Sequence, residues 1–154
     1  MGDSRKYCEW LGQARQDLEA ARILLENRGP CNLTAFHAQQ TVEKAYKAFI
    51  LYCKGRLQEG HSLAYLNKLC AKLDKEFASF RPESIKLNRY YTKTRYPADF
   101  PLQVSEQQAE KFINIADKIL QKVEEKILEM PRESLGSIDP EMKAGKSTIC
   151  RQNE

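Results

Sequence analysis

Apolar residues recur along most of this chain at the three- and four-residue spacing of an amphipathic helix. From about Ser4 to Asn27 the stripe is Tyr7, Trp10, Leu11, Ala14, Leu18, Ala21, Leu24 and Leu25, and Asn27-Arg28-Gly29-Pro30 is a stop signal. A second stripe, from about Leu33 to Cys53, carries Phe36, Val42, Ala45, Tyr46, Phe49 and Ile50, with Asn32 as a candidate N-cap and Gly55 near its end. His61-Ser62 opens a third helix through Leu63, Leu66, Leu69, Cys70 and Leu73. Pro82 suits the first turn of a shorter fourth helix through Ile85, Leu87 and Tyr90 or Tyr91, which fades before Pro97. Ser105 caps a long fifth helix, and Gln108 completes a capping box; its stripe is Ala109, Phe112, Ile113, Ala116, Ile119, Leu120, Val123 and Ile127. No segment alternates as a strand would. The pattern predicts an all-α fold: an antiparallel four-helix up-and-down bundle with a short extra helix. The bundle occupies residues 1–129. Residues 130–154, with scattered Gly, Pro, Ser and cancelling charges, read as a flexible tail.

At 154 residues the chain has the length of one domain able to bury a core without staples. No apolar run approaches the ~20 residues that span a bilayer, and the first residues lack the apolar core of a signal peptide. The 5 cysteines show no C-x-x-C spacing. Cys8, Cys53 and Cys70 lie at or beside apolar helical positions, so the expectation is reduced packing thiols in a cytoplasmic protein, with no metal site and no cofactor.

Net charge is +4, which says little by itself. Its distribution says more. Arg81, Lys86, Arg89, Lys93 and Arg95 face a single acid, Glu83, between residues 81 and 96, and Tyr90, Tyr91 and Tyr96 are interleaved with them. Such a segment attracts phosphate and offers stacking faces, or is simply a solvated helix face. Pro97 disfavours helix at Tyr96, which would leave Arg95 and Tyr96 at a helix end. There Arg95 either offers its planar fork to a phosphate or ties down the following loop.

In the second helix Gln40, Glu43, Lys44 and Lys47 share one face, while Gln39 points elsewhere. They are either an exposed polar stripe with a Glu43–Lys47 ion pair, or an inward-facing set that meets Arg89 or Arg95 of the fourth helix.

Taken in order, Gln-Gln-x-x-Glu-Lys-Ala-x-Lys from Gln39 to Lys47, His-Ser-Leu from His61 to Leu63, and Tyr-Tyr-x-x-x-Arg-Tyr-Pro from Tyr90 to Pro97 resemble the HEPN family (higher eukaryote and prokaryote nucleotide-binding domains). Trp10 and Asp17-Leu18-x-Ala-Ala fit as well. The resemblance covers about Ser4 to Leu128. It implies an all-α bundle that usually forms homodimers, with either nucleotide binding, frequently beside a partner nucleotidyltransferase, or metal-independent RNA cleavage. Carried onto this chain, it implies a phosphate of a nucleotide or RNA at Arg89, Lys93 and Arg95, stacking or hydrogen bonding by Tyr91 and Tyr96, and orientation by Gln40, Glu43 and Lys44. The ribonuclease branch carries Arg, four to six residues, then His on a late helix. Here neither His37 nor His61 follows Arg89 or Arg95. Arg56 to His61 matches that spacing but lies between the second and third helices, and reads as coincidence. The favoured expectation is therefore a non-catalytic binding module. The alternatives are a metal-independent ribonuclease, as the toxin of a toxin–antitoxin pair, and a purely structural docking dimer. Ala144-Gly145-Lys146-Ser147 mimics the end of a phosphate-binding loop, but Pro140 stands where its first glycine is needed.

Overall fold

A computed structural model describes residues 5–91, 97 and 103–130. The described elements are α1 (Tyr7–Glu26), α2 (Cys31–Lys54), α3 (Leu63–Leu73), a 3₁₀ turn (Lys75–Phe80), α4 (Arg81–Asn88) and α5 (Glu106–Glu129). All are helical, as the periodicity predicts. The expected flexible tail, residues 130–154, lies outside the described residues apart from Met130.

Most boundaries agree with the sequence signals. Ser105 Oγ accepts from the Gln108 N–H at 3.1 Å while Gln108 Oε1 accepts from the Ser105 N–H at 3.0 Å, closing the capping box. Ser62 Oγ accepts from the Tyr65 N–H and caps α3. Asn32 does not cap α2: the helix starts two residues earlier than that cap implies, at Cys31, behind Pro30, whose fixed φ of −60° suits that place. The fourth helix stops at Asn88, short of the tyrosines. The turn at Lys75–Phe80 was not foreseen, because its run of Lys, Glu, Ser and two Phe has no clean period.

The long helices α1, α2 and α5 pack on one another, with α2 buried along most of its length. Tyr7 of α1 meets Tyr52 of α2 edge to face at 4.9 Å, so the start of α1 lies by the end of α2. Arg15–Glu124 and Arg22–Asp117 pair α1 with α5 in the opposite sense. Against α2 the shorter elements form a second layer. Phe77 of the 3₁₀ turn inserts between Tyr46 and Phe49, with ring centroids 6.2 and 4.7 Å away. Beneath it Tyr46, Asn67 and Ser84 form a closed relay. Asn67 Nδ2 donates to the Tyr46 hydroxyl (3.1 Å) and to the Phe77 carbonyl (2.8 Å). The Ser84 hydroxyl donates to the Phe80 carbonyl (2.8 Å), which leaves its oxygen to accept from Tyr46 (2.7 Å). Burial pushes the Tyr46 hydroxyl well above its ordinary titration range, outweighing these bonds.

The α2–α3 connection sets the geometry of everything that follows. α2 ends at Gly55, left-handed at φ 72°. The chain then runs back beside α2, so that His61 meets Glu43, while the far end of α3 returns toward Cys53. α3 thus follows the direction of α2 instead of reversing it as a strict up-and-down order requires. From Glu43 to Gly55 the helix rises about 18 Å. Six residue steps of extended chain reach slightly further.

Cys53 and Cys70 are buried free thiols, and burial pushes Cys53 up to about 12 and Cys70 well above its usual range. Cys8 is buried too, but it is disulfide-bonded, which departs from the expectation of a reduced residue.

Candidate functional site

α2 carries two sets of charged residues that reach different neighbours. On one side Asp17 of α1 accepts from Lys44 Nζ (2.5 Å) and meets His37 Nδ1 (2.9 Å). This set bridges α1 and α2. The other set centres on Glu43, only 3 % exposed. Its carboxylate meets His61 Nδ1 at 3.0 Å and Lys47 Nζ at 3.8 Å. Lys47 is itself buried, with its ammonium 5.5 Å from the centre of the Trp10 ring.

The Glu43 carboxylate can only accept, so the hydrogen of the His61 ring sits on Nδ1. When the ring is neutral, Nε2 keeps its lone pair. The His61 side chain is half exposed and lies flat on Tyr91, with centroids 4.7 Å apart and planes 13° from parallel. Arg89 lies exposed two residues before Tyr91, just past the end of α4. Tyr90 points inward, 4.8 Å from the Phe112 ring, and fixes the stretch of chain from which its neighbours project. Asn88 Oδ1 accepts from the Leu63 N–H at 2.8 Å, tying the end of α4 to the start of α3.

The expected site residues separate accordingly. Glu43, Arg89 and Tyr91 lie around one corner of the molecule. Lys93, Arg95 and Tyr96 fall outside the described residues. Glu43 does face inward, but among the described residues it is met by His61 and Lys47 and not by Arg89, while Arg95 lies outside them. The expected Glu43–Lys47 pair exists and is buried instead of solvated. Gln40 and Lys44 turn to other partners: Gln40 Nε2 donates to Gln39 Oε1 (2.7 Å), and Lys44 binds Asp17. Gln39, expected to point away from this face, is fully buried, and its Nε2 has no hydrogen-bond partner among the described residues. Spacing within α2 could not reveal His61 as the partner of Glu43, because the contact depends on the path of residues 55–62. The His-Ser-Leu triplet before α3 was the available signal.

Residues 7–126 match the family model described as HEPN domain. The chain belongs to the HEPN family. Two solved structures resemble it throughout this region. TT1696 from Thermus thermophilus is 32% identical, with a TM-score of 0.68, over 80% of this chain and 99% of the other. ST0689, an archaeal HEPN homologue, is 30% identical, with a TM-score of 0.64, over 79% and 98% respectively. Among curated proteins none matches. The three motifs that suggested the family in the sequence thus lie within the matched region. In this HEPN chain Glu43 and His61, from two of those motifs, are in direct contact, and Tyr91, from the third, stacks on the histidine. Among the described residues no helix is long and apolar enough to cross a membrane, and no three of His, Cys, Asp and Glu are grouped to hold a metal ion.

Proposed function

We propose that this HEPN protein is a phosphate-binding module for a nucleotide or RNA, non-catalytic, acting as a cytoplasmic homodimer beside a nucleotidyltransferase partner. The observation that carries the reading is the platform at the end of α4. Exposed Arg89 precedes by two residues Tyr91, whose ring is backed by His61, which is in turn held by the buried carboxylate of Glu43. A guanidinium next to a braced aromatic face suits a phosphate and its attached base. Lys93, Arg95 and Tyr96 continue the same basic and aromatic segment. Glu43 orients the platform through His61. Gln40 and Lys44 support it indirectly, by fixing α2 internally and against α1.

The test is calorimetric titration of the purified protein with UMP and AMP, alongside Arg89→Gln and Arg95→Ala. Binding lost in these variants with unchanged helicity supports the site, and unchanged affinity in both excludes it. Recovery of the protein alone from its native host, with no nucleotidyltransferase, would exclude the partner. A monomeric mass in sedimentation would exclude the dimer.

A second reading, metal-independent RNA cleavage, draws on His61. An imidazole oriented by a carboxylate, with its other nitrogen toward solvent, has the arrangement of a general base. Cleavage of a labelled RNA in chelator by the wild type, abolished in His61→Ala, would replace binding with catalysis.

A further inference from the structure

A groove of about 370 Å³ separates α4 from α5 and has no part in the platform described above. Lys86 lines it from α4, and Lys111 and Lys118 from α5, with Asn114 between the two and Phe112 and Ile115 contributing apolar wall. α4 and α5 both pack on α2 but barely on each other, which leaves the groove open. No carboxylate lines it among the described residues.

The lysines of α5 differ sharply along its length. Near the C-terminal end Lys122 pairs with Glu76 and Glu125, and Lys126 with Asp74, Glu76 and Glu129. Further toward the N-terminus Lys111 and Lys118 have no ion-pair partner among the described residues. They also have no Asp or Glu three or four positions away, where Gln107, Gln108, Asn114, Ile115, Gln121 and Lys122 stand instead. Glu83 lies three residues before Lys86 but makes no ion pair with it among the described residues. Three unneutralised ammonium groups around an amide and an apolar wall form a receptor for an anion that also presents a flat, less polar body.

We propose that this groove is a second phosphate subsite, and that the ligand is a single nucleic-acid strand engaging both the groove and the Arg89 platform. The inference rests on the phosphate-binding reading of that platform. Lys86 and Arg89 are one helical turn apart at the end of α4, so the two sites are contiguous. Lys111 and Lys118 are about 10 Å apart along α5. Together the four cations exceed the reach of one nucleotide monophosphate.

Fluorescence anisotropy of a labelled twelve-nucleotide oligouridylate, measured across a salt series, tests this beside calorimetric titration with UMP. Each neutralised phosphate of a single strand contributes about −0.7 to the slope of log affinity against log salt. The triple variant Lys86→Gln/Lys111→Gln/Lys118→Gln should therefore lose about 2 from that slope, and leave UMP affinity unchanged. A control with the same loss of charge elsewhere, Lys54→Gln/Lys68→Gln/Lys72→Gln, should retain most of the slope. An unchanged slope in the groove variant, or an equal loss in the control, overturns the second subsite. So does an equal fall in UMP affinity, which would merge the two sites. If Arg89→Gln weakens the strand and the groove variant does not, only the groove fails. If the wild type binds neither probe, the phosphate reading fails with it.

Discussion

The two carboxylate–histidine–lysine sets on α2 have the same chemistry and different consequences. Asp17, His37 and Lys44 join two long helices whose packing is already fixed by apolar residues. The His37 and Lys44 side chains both keep access to water, 30% and 21% exposed. Glu43, Lys47 and His61 combine a buried ion pair with a contact to a connection that has no regular structure of its own. The first set fastens elements that would meet anyway. The second decides where His61, and with it Tyr91, comes to rest. Position in the fold, more than composition, distinguishes a fastening from a foundation.

The largest difference should appear in stability. Glu43→Ala leaves the Lys47 ammonium buried without its counter-charge, at a cost of about 3–5 kcal/mol. Asp17→Ala leaves groups that can turn to solvent, at about 1–3 kcal/mol. Urea unfolding measures both, and equal losses would erase the distinction. Next comes the relay that secures the second layer. Tyr46→Phe removes the bond to Ser84 and should cost about 1–3 kcal/mol, read from the same transitions. A neutral result would mean that packing of Phe77 alone holds α4 in place. Smaller again is the effect of the histidines on binding. His61→Ala should lower nucleotide affinity about tenfold, or ~1.4 kcal/mol, while His37→Ala should leave it unchanged. Matching losses in calorimetry would show that the platform does not depend on its backing ring.

The smallest effect concerns the cluster at the other end of α5. Partial burial raises the Asp74 carboxyl, but the Glu76 N–H and the Lys126 ammonium outweigh it and hold the group below its usual range. Lys126, with help from Lys122, does the same for Glu76. A lowered folded-state value means a contribution present above the ordinary carboxylate range and lost as pH falls through the lower one. The difference in Tm between wild type and Lys126→Met should therefore shrink as the solution is acidified from neutrality. A difference that persists in strong acid would refute the cluster's role.

The helices were legible in the sequence because each long one carries an unbroken apolar stripe, and Ser105 and Gln108 announced a cap that the structure contains. The 3₁₀ turn was not, since Phe77 and Phe80 lie three apart in a segment too short to establish a period. The candidate site was legible only in part. Glu43 stood out as a polar residue on a helix otherwise destined for the core. Its partner did not, because His61 is eighteen residues away and reaches it through a connection with no pattern to read. The same limitation hid the α4–α5 groove. Lys86 and Lys111 look like ordinary solvated residues until the helices are set side by side.

The connection from Gly55 to His61 also acts as a ruler. Six residue steps reach about 20–22 Å, against the roughly 18 Å rise of α2 that they retrace. Removing two residues would leave about 13–14 Å, too little for the backbone to bring His61 level with Glu43. Added residues could bulge outward at small entropic cost. Relatives that keep this contact should therefore lengthen the segment freely and almost never shorten it.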